Sequence, residues 1–181
     1  MQIVVFGAGS LGSLIGGLLA REHAVTLVGR DPHVSQVREA GLQIIGELDA
    51  QVHPDAATEP PASADCAVVT VKAFDTPEAA QALADVELDA AVSLQNGMGN
   101  EETLAEHLAC PVLAGTCTYG ARLEGPGVVA CTGIGDVVLG PRDGGQSQTA
   151  DRIGRAFEEA DLETTVAADM PRRLWEKLAI N

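Results

Sequence analysis

Short apolar runs alternate with amphipathic segments along most of the chain. The apolar runs have the length of buried strands and lie near residues 2–6, 24–29, 66–71, 90–94 and 112–118. The segments between them show helical periodicity near residues 10–21, 32–40, 76–84 and 100–108. This alternation of strand and helix predicts an α/β fold with a doubly wound, mostly parallel sheet.

Several segments depart from that alternation. Residues 42–53, LQIIGELDAQVH, predict a hairpin inserted before the third main strand, and TEPPAS interrupts regular structure just after it. After residue 126, the runs GVVACTG and DVVLGP predict an antiparallel addition to the sheet. A helix near 147–160, a short strand around 163–166 and a helix that opens at Pro171 complete the prediction.

A glycine-rich loop connects the first strand to the first helix. The run MQIVVF leads into Gly7-Ala8-Gly9-Ser10-Leu11-Gly12, the GxGxxG pattern in the context of a strand, a loop and a helix. Gly7 suits a tight turn, Gly9 admits a close pyrophosphate, and Gly12 permits close packing of the helix on the strand. The loop therefore predicts a Rossmann-type dinucleotide site, with phosphates at the free N–H groups of the helix.

The residues after the second strand bear on which dinucleotide binds. Sites that prefer NAD usually place a carboxylate here for the ribose 2′-OH, whereas this chain has Arg30, which suits a 2′-phosphate. NADP(H) is therefore the expected cofactor. Asp31 remains an alternative ribose ligand if the strand runs one residue further.

Two more polar residues follow strands of the predicted sheet. Lys72 follows the run CAVVTV, and Asn96 follows AVSLQ. Ligands of open α/β sheets bind beyond the carboxyl ends of the strands, so both residues are expected beside the glycine loop. Taken singly, Lys72 fits an exposed lysine and Asn96-Gly97 fits a turn.

The C-terminal segment predicts a helix with a polar face. Lys177 and Asn181 stand four residues apart and share that face. Two apolar stripes, Leu174 with Leu178 and Trp175 with Ala179, are expected to press the helix against the body of the protein. On a terminal helix without a nearby nucleotide site, Lys177 would be an ordinary solvated charge.

Composition narrows the function classes. The 181 residues are 46% hydrophobic and carry a net charge of −15, which opposes nucleic-acid binding and resembles proteins adapted to high salt. No apolar stretch approaches the roughly 20 residues that span a bilayer, so we expect a cytoplasmic protein. The four cysteines (Cys66, Cys110, Cys117 and Cys131) have no metal-ligand spacing and are expected to be buried free thiols. The four histidines (His23, His33, His53 and His107) are expected at the surface, and no metal site is predicted.

Five motifs in collinear order resemble those of the ketopantoate reductase (2-dehydropantoate 2-reductase) family. They are GAGSLG with Arg30, VKAFDT around Lys72, QNGMGNEE around Asn96, TCTYGAR with Ala121, and LWEKLAIN at the end. The resemblance implies NADPH-dependent reduction of 2-dehydropantoate, a small 2-keto acid, to D-pantoate, on the route to pantothenate and coenzyme A. It also implies that the loop residues 7–12, Arg30, Lys72, Asn96 and Ala121 bind NADP, that Lys177 donates the proton, and that Asn96, Lys177 and Asn181 contact the substrate.

The resemblance also implies a second, all-helical domain that follows these motifs. We expect residues 1–168 to form the NADP-binding domain and residues 169–181 to begin the helix that leads to a domain absent from this chain. A homodimer or a partner chain could supply the missing wall of the site. Two other functions stay open, a non-catalytic module that binds or senses NADP(H) and a reductase of another small 2-keto acid.

Overall fold

A computed structural model describes residues 1–180, which form strands, helices and a single 3₁₀ turn at Ala73–Asp75. The strands are β1 (Gln2–Phe6), β2 (Ala24–Val28), β3 (Leu42–Gly46), β4 (Ala50–Val52), β5 (Asp55–Ala57), β6 (Ser63–Val69), β7 (Glu87–Ser93), β8 (Val112–Cys117), β9 (Gly120–Gly125), β10 (Val128–Gly133), β11 (Val137–Pro141) and β12 (Thr164–Val166). The helices are α1 (Ser10–Leu19), α2 (His33–Ala40), α3 (Thr76–Leu83), α4 (Asn100–His107), α5 (Gln148–Glu159) and α6 (Met170–Ile180).

The main sheet has eight strands in the order β12-β11-β8-β7-β6-β1-β2-β5. The six strands from β8 to β5 run parallel, and β11 pairs antiparallel with β8. The predicted doubly wound, mostly parallel sheet with an antiparallel addition is therefore confirmed. In this topology the carboxyl ends of β1, β2, β6 and β7 lie along one edge of the sheet.

A second sheet, in the order β4-β3-β10-β9, was not predicted as a unit. The hairpin expected at 42–53 exists as β3 and β4, but β3 also pairs in parallel with β10, the GVVACTG run. Only DVVLGP, as β11, adds antiparallel to the main sheet. The short strands β5 and β9 were not predicted. Strand β5 has only three residues, and β9 is partly exposed along its length, so neither forms a recognisable apolar run.

Helix α1 lies between the two sheets. It contacts β1 and β2 of the main sheet on one side and β3, β9 and β10 of the second sheet on the other. Alternate residues of β1 point to opposite faces, so Ile3 and Val5 belong to the core around α1. Val4 belongs instead to a core under α3 and α4. The main sheet is therefore covered on both faces, as its apolar strands require.

Helix α6 is less buried than its sequence suggested. Met170 is buried and Leu174 packs against it on β8 and β11. Trp175 is 63% exposed and Leu178 45% exposed, so the expectation that both apolar stripes press on the body is wrong for them. Met170 and Leu174 face the sheet, whereas Trp175 and Leu178 lie at the surface.

The expected surface location holds for two histidines and is wrong for the other two. His53 and His107 are exposed. His33 is buried between Ser13 of α1 and the turn at Gly127. The ring of His23 is 4% exposed and bonded through Nε2 to the Ala156 carbonyl. Cys66 and Cys131 are buried thiols, whereas Cys110 and Cys117 are half-buried, and all four are free. Within residues 1–180 no helix has the length and apolarity needed to cross a bilayer.

Glu101, in the first turn of α4, is a buried carboxylate. The residue is 1% exposed, and its Oε1 atom has no hydrogen-bond partner among the described residues. Burial raises the pKa of this carboxyl above its usual range. The charged form is therefore less favourable in the fold than in the unfolded chain, and this cost grows as pH rises from the unfolded pKa through the folded one.

We expect Glu101→Gln to stabilise the fold at pH 7 by about 1 kcal/mol, because the amide needs no desolvated charge. The gain should vanish near pH 4, where the carboxyl is protonated in both the folded and the unfolded chain. Urea unfolding at the two pH values measures it. Glu102→Gln is the matched control, since Glu102 is the exposed neighbour on the same helix. An equal gain from both substitutions would indicate relief of surface repulsion instead.

Candidate active site

A cleft of about 790 Å³ lies at the carboxyl edge of the main sheet, beside the second sheet. Its walls come from the glycine loop, the ends of β2 and β5, the segment after β6, helix α3, the segment after β7, and β8 and β9. The residues that line the cleft include Gly7, Ala8, Gly9, Ser10, Leu11, Arg30, His33, Thr70, Lys72, Asp75, Glu78, Asn96, Cys117, Tyr119 and Ala121.

The glycine loop is held tightly against β6. Gly7 has a φ of +113°, which L side chains rarely adopt, and a Cβ there would lie 2.7 Å from the Val71 nitrogen. A Cβ at Gly12 would overlap the Gly7 carbonyl oxygen and lie 2.5 Å from Thr70 Oγ1. The Thr70 hydroxyl donates to the Gly7 carbonyl at 2.9 Å. The two glycines thus allow a loop that any side chain would push away from the sheet.

Helix α1 begins at Ser10, directly after this loop, so its first turn is at the cleft. The amides of the loop are already bonded: Gly7 and Ala8 donate to the Val28 carbonyl at 2.9 and 2.8 Å. The first-turn amides of α1 have no acceptor within the helix and carry the positive end of its dipole. Ser10 Oγ accepts from the Leu123 amide at 3.1 Å, which ties the start of α1 to β9. The result is a fixed anion-binding helix terminus.

Arg30 and Asp31 have different roles at the end of β2. Asp31 Oδ1 accepts from the Ser35 hydroxyl at 2.6 Å and from the Ser35 amide at 3.1 Å. These bonds lower the pKa of Asp31 and use its carboxylate to hold the first turn of α2. Arg30 is exposed in the cleft and has no ion-pair partner among residues 1–180. Arg30 is therefore the available charge for a ligand.

A buried polar network joins the segments that carry Lys72 and Asn96. Gln95 Nε2 donates to the Val71 carbonyl at 3.0 Å and to Thr76 Oγ1 at 2.7 Å. The Thr76 hydroxyl donates to Asn100 Oδ1 at 3.0 Å, and Asn100 Nδ2 donates to the Asn96 carbonyl at 3.2 Å. The backbone just before Lys72 and that of Asn96 are thereby fixed relative to each other, although both side chains are exposed.

Lys177 lies on α6 and does not line the cleft directly. Its side chain is half-buried, and this burial lowers the pKa of the ammonium, while the Cys117 thiol acts in the opposite direction. Burial in turn raises the pKa of the Cys117 thiol, which Lys177 partly offsets. Because Cys117 is a wall residue of the cleft, Lys177 stands beside that wall with an environment that favours loss of its proton.

The structure brings most of the expected site residues into one cleft. Gly7, Ala8, Gly9, Ser10, Leu11, Arg30, Lys72, Asn96 and Ala121 all line it. Gly12 lies behind the loop, Lys177 lies next to Cys117, and Asn181 falls outside the described residues. Thr70, His33, Cys117 and Tyr119 were not predicted as site residues, although Thr70 lies in the run CAVVTV and both Cys117 and Tyr119 lie in the motif TCTYGAR.

The described residues contain no group of three or more His, Cys, Asp or Glu side chains arranged to hold a metal ion. The charged groups of the cleft are Arg30, Lys72, Asp75 and Glu78. The formal charges of the two cations and two carboxylates offset each other, so the positive potential offered to a ligand depends on where the terminus of α1 and Arg30 lie.

Comparison with known proteins agrees with this geometry. The family model described as "Ketopantoate reductase PanE/ApbA" matches residues 3–144. The 2-dehydropantoate 2-reductase of Halobacterium salinarum is 44% identical over all of this chain and 62% of its own length. That of Pyrococcus abyssi is 38% identical over all of this chain and 61% of its own length.

A solved structure of a PanE/ApbA family ketopantoate reductase from Ralstonia eutropha JMP134 superposes with a TM-score of 0.91. It is 31% identical and is matched over all of this chain and 61% of its own. The chain thus spans about three fifths of the length of these relatives. With the glycine loop, Lys72, Asn96 and Ala121 gathered in one cleft, these matches show that the chain belongs to the ketopantoate reductase family.

Proposed function

We propose that this chain forms the nucleotide-binding part of an NADPH-dependent reductase that converts 2-dehydropantoate to D-pantoate. The observation that carries the proposal is the meeting of Lys72, Asn96 and Ala121 with the glycine loop in one cleft, with Lys177 beside its wall. Membership of the family supports the choice of substrate.

The cleft suits the pyrophosphate and the 2′-phosphate of NADP(H). The first turn of α1 offers free amides to the pyrophosphate, and the absence of a side chain at Gly9 permits its close approach. Gly7 and Gly12 let the loop and the helix pack closely against the segment at Thr70 and Val71. Arg30 is free to make a charge-assisted bond to a 2′-phosphate, whereas Asp31 is already bonded to Ser35. These residues favour NADP(H) over NAD(H).

Lys177 has the properties of a general acid. When NADPH is bound, its nicotinamide would supply the hydride for the keto carbon, and negative charge would develop on the keto oxygen. The ammonium of Lys177 stabilises that negative charge and transfers its proton to the oxygen, which yields the hydroxyl of the product. The lowered pKa of Lys177 brings the ammonium closer to the range in which proton transfer is efficient. Asn96 is placed to orient the substrate or the nicotinamide ribose, and Asn181 is assigned to substrate binding by its position in the motif.

The remainder of the substrate site is assigned to a further, helical domain. The relatives are longer than this chain, and Trp175 and Leu178 present an exposed apolar surface on α6. Covering such side chains is favourable, at roughly 25 cal/mol for each Å² of apolar surface buried. We assign residues 1–168 to the nucleotide-binding domain and α6 to the connection with a helical domain, supplied in the same chain or by a partner such as a second copy. We also propose a cytosolic location.

Arg30→Ala should remove most of the preference for NADPH over NADH, lowering the ratio of the two affinities by about tenfold or more. Calorimetric titration of the chain with each dinucleotide measures the ratio. Asp31→Asn keeps an acceptor for Ser35 and should leave the ratio unchanged. If the unsubstituted chain binds NADH at least as well as NADPH, Arg30 has been assigned wrongly and Asp31 becomes the ribose ligand.

The chain alone should bind NADPH but show little or no reduction of 2-dehydropantoate. A chimera in which residue 181 is followed by the remaining part of the Halobacterium salinarum relative should turn over. The activity of both proteins is measured as the loss of NADPH absorbance at 340 nm. The assay is run at low and at molar salt, because salt screens the repulsion that a net charge of −15 produces. A folded chimera that binds NADPH and reduces no small 2-keto acid would favour a module that senses NADP(H). A chimera that reduces a different 2-keto acid selectively would show that the proposed substrate is wrong.

In that chimera, Lys177→Ala should lower kcat by about a hundredfold or more with little change in NADPH affinity. The kcat of the unsubstituted chimera should fall as the pH rises into the alkaline range, because Lys177 then loses its proton. This fall should begin at a lower pH than the ordinary pKa of a lysine implies, since burial lowers the pKa of Lys177. Arg172→Ala is the control, because Arg172 is an exposed cation on the same helix and is paired with Glu176. Near-normal turnover by Lys177→Ala would exclude this residue as the proton donor.

A further inference from the structure

His33 is a buried histidine with both ring nitrogens bonded. It is the first residue of α2, is 9% exposed and forms part of the cleft wall. Its Nε2 atom lies 2.9 Å from Ser13 Oγ, and the Gly127 amide lies 3.1 Å from its Nδ1 atom. Neither the sequence motifs nor the proposed reaction assigns this residue a role.

The two partners fix the protonation state of the ring. The Gly127 amide can only donate, so Nδ1 must be the unprotonated acceptor. Nε2 therefore carries the proton and donates to Ser13 Oγ. The Ser13 hydroxyl in turn donates to the Ala8 carbonyl at 3.2 Å. All three bonds then run in one direction, from Gly127 through His33 and Ser13 to Ala8.

This chain of bonds connects the second sheet to the nucleotide loop. Gly127 lies in the turn between β9 and β10, and β9 carries Ala121 in the cleft wall. Ala8 lies in the glycine loop. The only other side-chain bond between these parts of the described structure is the one from Leu123 to Ser10. Of the two connections, only the one through His33 includes an imidazole, a side chain that can gain a proton as the pH falls below neutral.

We propose that His33 is a positioning residue whose neutral ring ties the β9–β10 turn to the glycine loop, so that its protonation weakens dinucleotide binding. A proton on Nδ1 would direct an N–H at the N–H of Gly127, which breaks that bond. The turn is then released from α2, and the Ala121 wall is less well held against the loop. The inference rests on the proposed dinucleotide binding.

The surroundings of the ring support a neutral state. The glycine loop and α1 carry no titratable side chain. The charged groups on the other elements around the ring are Arg30, Asp31, Arg38 and Glu39 at α2, Arg122 and Glu124 on β9, and Lys72, Asp75 and Glu78 across the cleft. None of them is a cause of the shift: burial alone lowers the pKa of His33. The neutral ring therefore contributes stability above the unfolded pKa of about 6.5, and that stability is lost as pH falls towards the folded pKa.

The test compares NADP⁺ binding by the chain and its variants from pH 8 to pH 5; the oxidised form is used because NADPH decomposes in acid. His33→Asn keeps an acceptor for Gly127 at every pH. The dissociation constant of the unsubstituted chain should rise about fivefold more than that of His33→Asn over this range, as expected for one lost hydrogen bond. Protonation of the ligand's 2′-phosphate, near pH 6, affects both proteins equally. His107→Gln removes an exposed histidine and should keep the unsubstituted profile.

Parallel profiles for the unsubstituted chain and His33→Asn would overturn the inference. If His33→Asn does not fold, Ser13→Ala replaces it: the affinity should fall at pH 8 and depend less on pH, because the ring no longer connects to Ala8.

A second measurement separates this inference from the proposed function. Nitrogen-15 NMR of the chain without nucleotide should show the Nε2–H tautomer, a pKa below 6.5 and a Gly127 amide shift that follows the same titration. A ring that titrates at or above 6.5, or a Gly127 amide that ignores it, would refute the role of His33 even if NADP⁺ binds. Absence of NADP⁺ binding at every pH would instead refute the proposed nucleotide site.

Discussion

The structure depends on how closely helix α1 can approach the elements on its two sides. A Cβ on Gly16 would overlap the Leu27 side chain of the main sheet, and a Cβ on Gly17 would lie 2.8 Å from Leu42 Cδ2 of the second sheet. At its first turn, Gly12 meets the Gly7 carbonyl without a side chain between them. Three glycines in one helix are costly in conformational entropy, by roughly 0.5–1 kcal/mol each relative to alanine. The close packing they permit places the helix terminus at the cleft and joins both sheets in one core.

Local signals in the sequence predicted the central strands of the main sheet but not its edge strand β5. The central strands are continuous apolar runs because they are buried on both faces, and the helices between them have clear apolar stripes. The second sheet escaped prediction for a physical reason: β3 pairs with β10, and some eighty residues separate Gln43 from Val128 in the sequence. A run such as GVVACTG would show the same apolar pattern in either sheet, so the pattern does not identify the strand with which it pairs.

The same distinction between local and distant information applies to the site. Gly7, Arg30, Lys72 and Asn96 follow strands, and the topology of a parallel sheet brings strand ends together, so their gathering could be predicted. His33 could not be placed in this way. It stands in the polar segment GRDPH, and its burial results from contact with the turn at Gly127, 94 residues away. Cys117 likewise could not be linked to Lys177 from the sequence, because the packing of α6 is what brings the two residues close together.

The chain has only two lysines, and they occupy different environments that suit different tasks. Lys72 is exposed at the cleft, where a hydrated ammonium can attract an anionic ligand through its charge alone. Lys177 is half-buried beside Cys117, and loss of hydration makes its proton easier to give up. An arginine could replace the first function but not the second, because a guanidinium stays protonated. The suitability of Lys177 as the proposed acid therefore depends on where α6 packs as much as on the residue type, because Met170 and Leu174 hold this helix against β8 and β11.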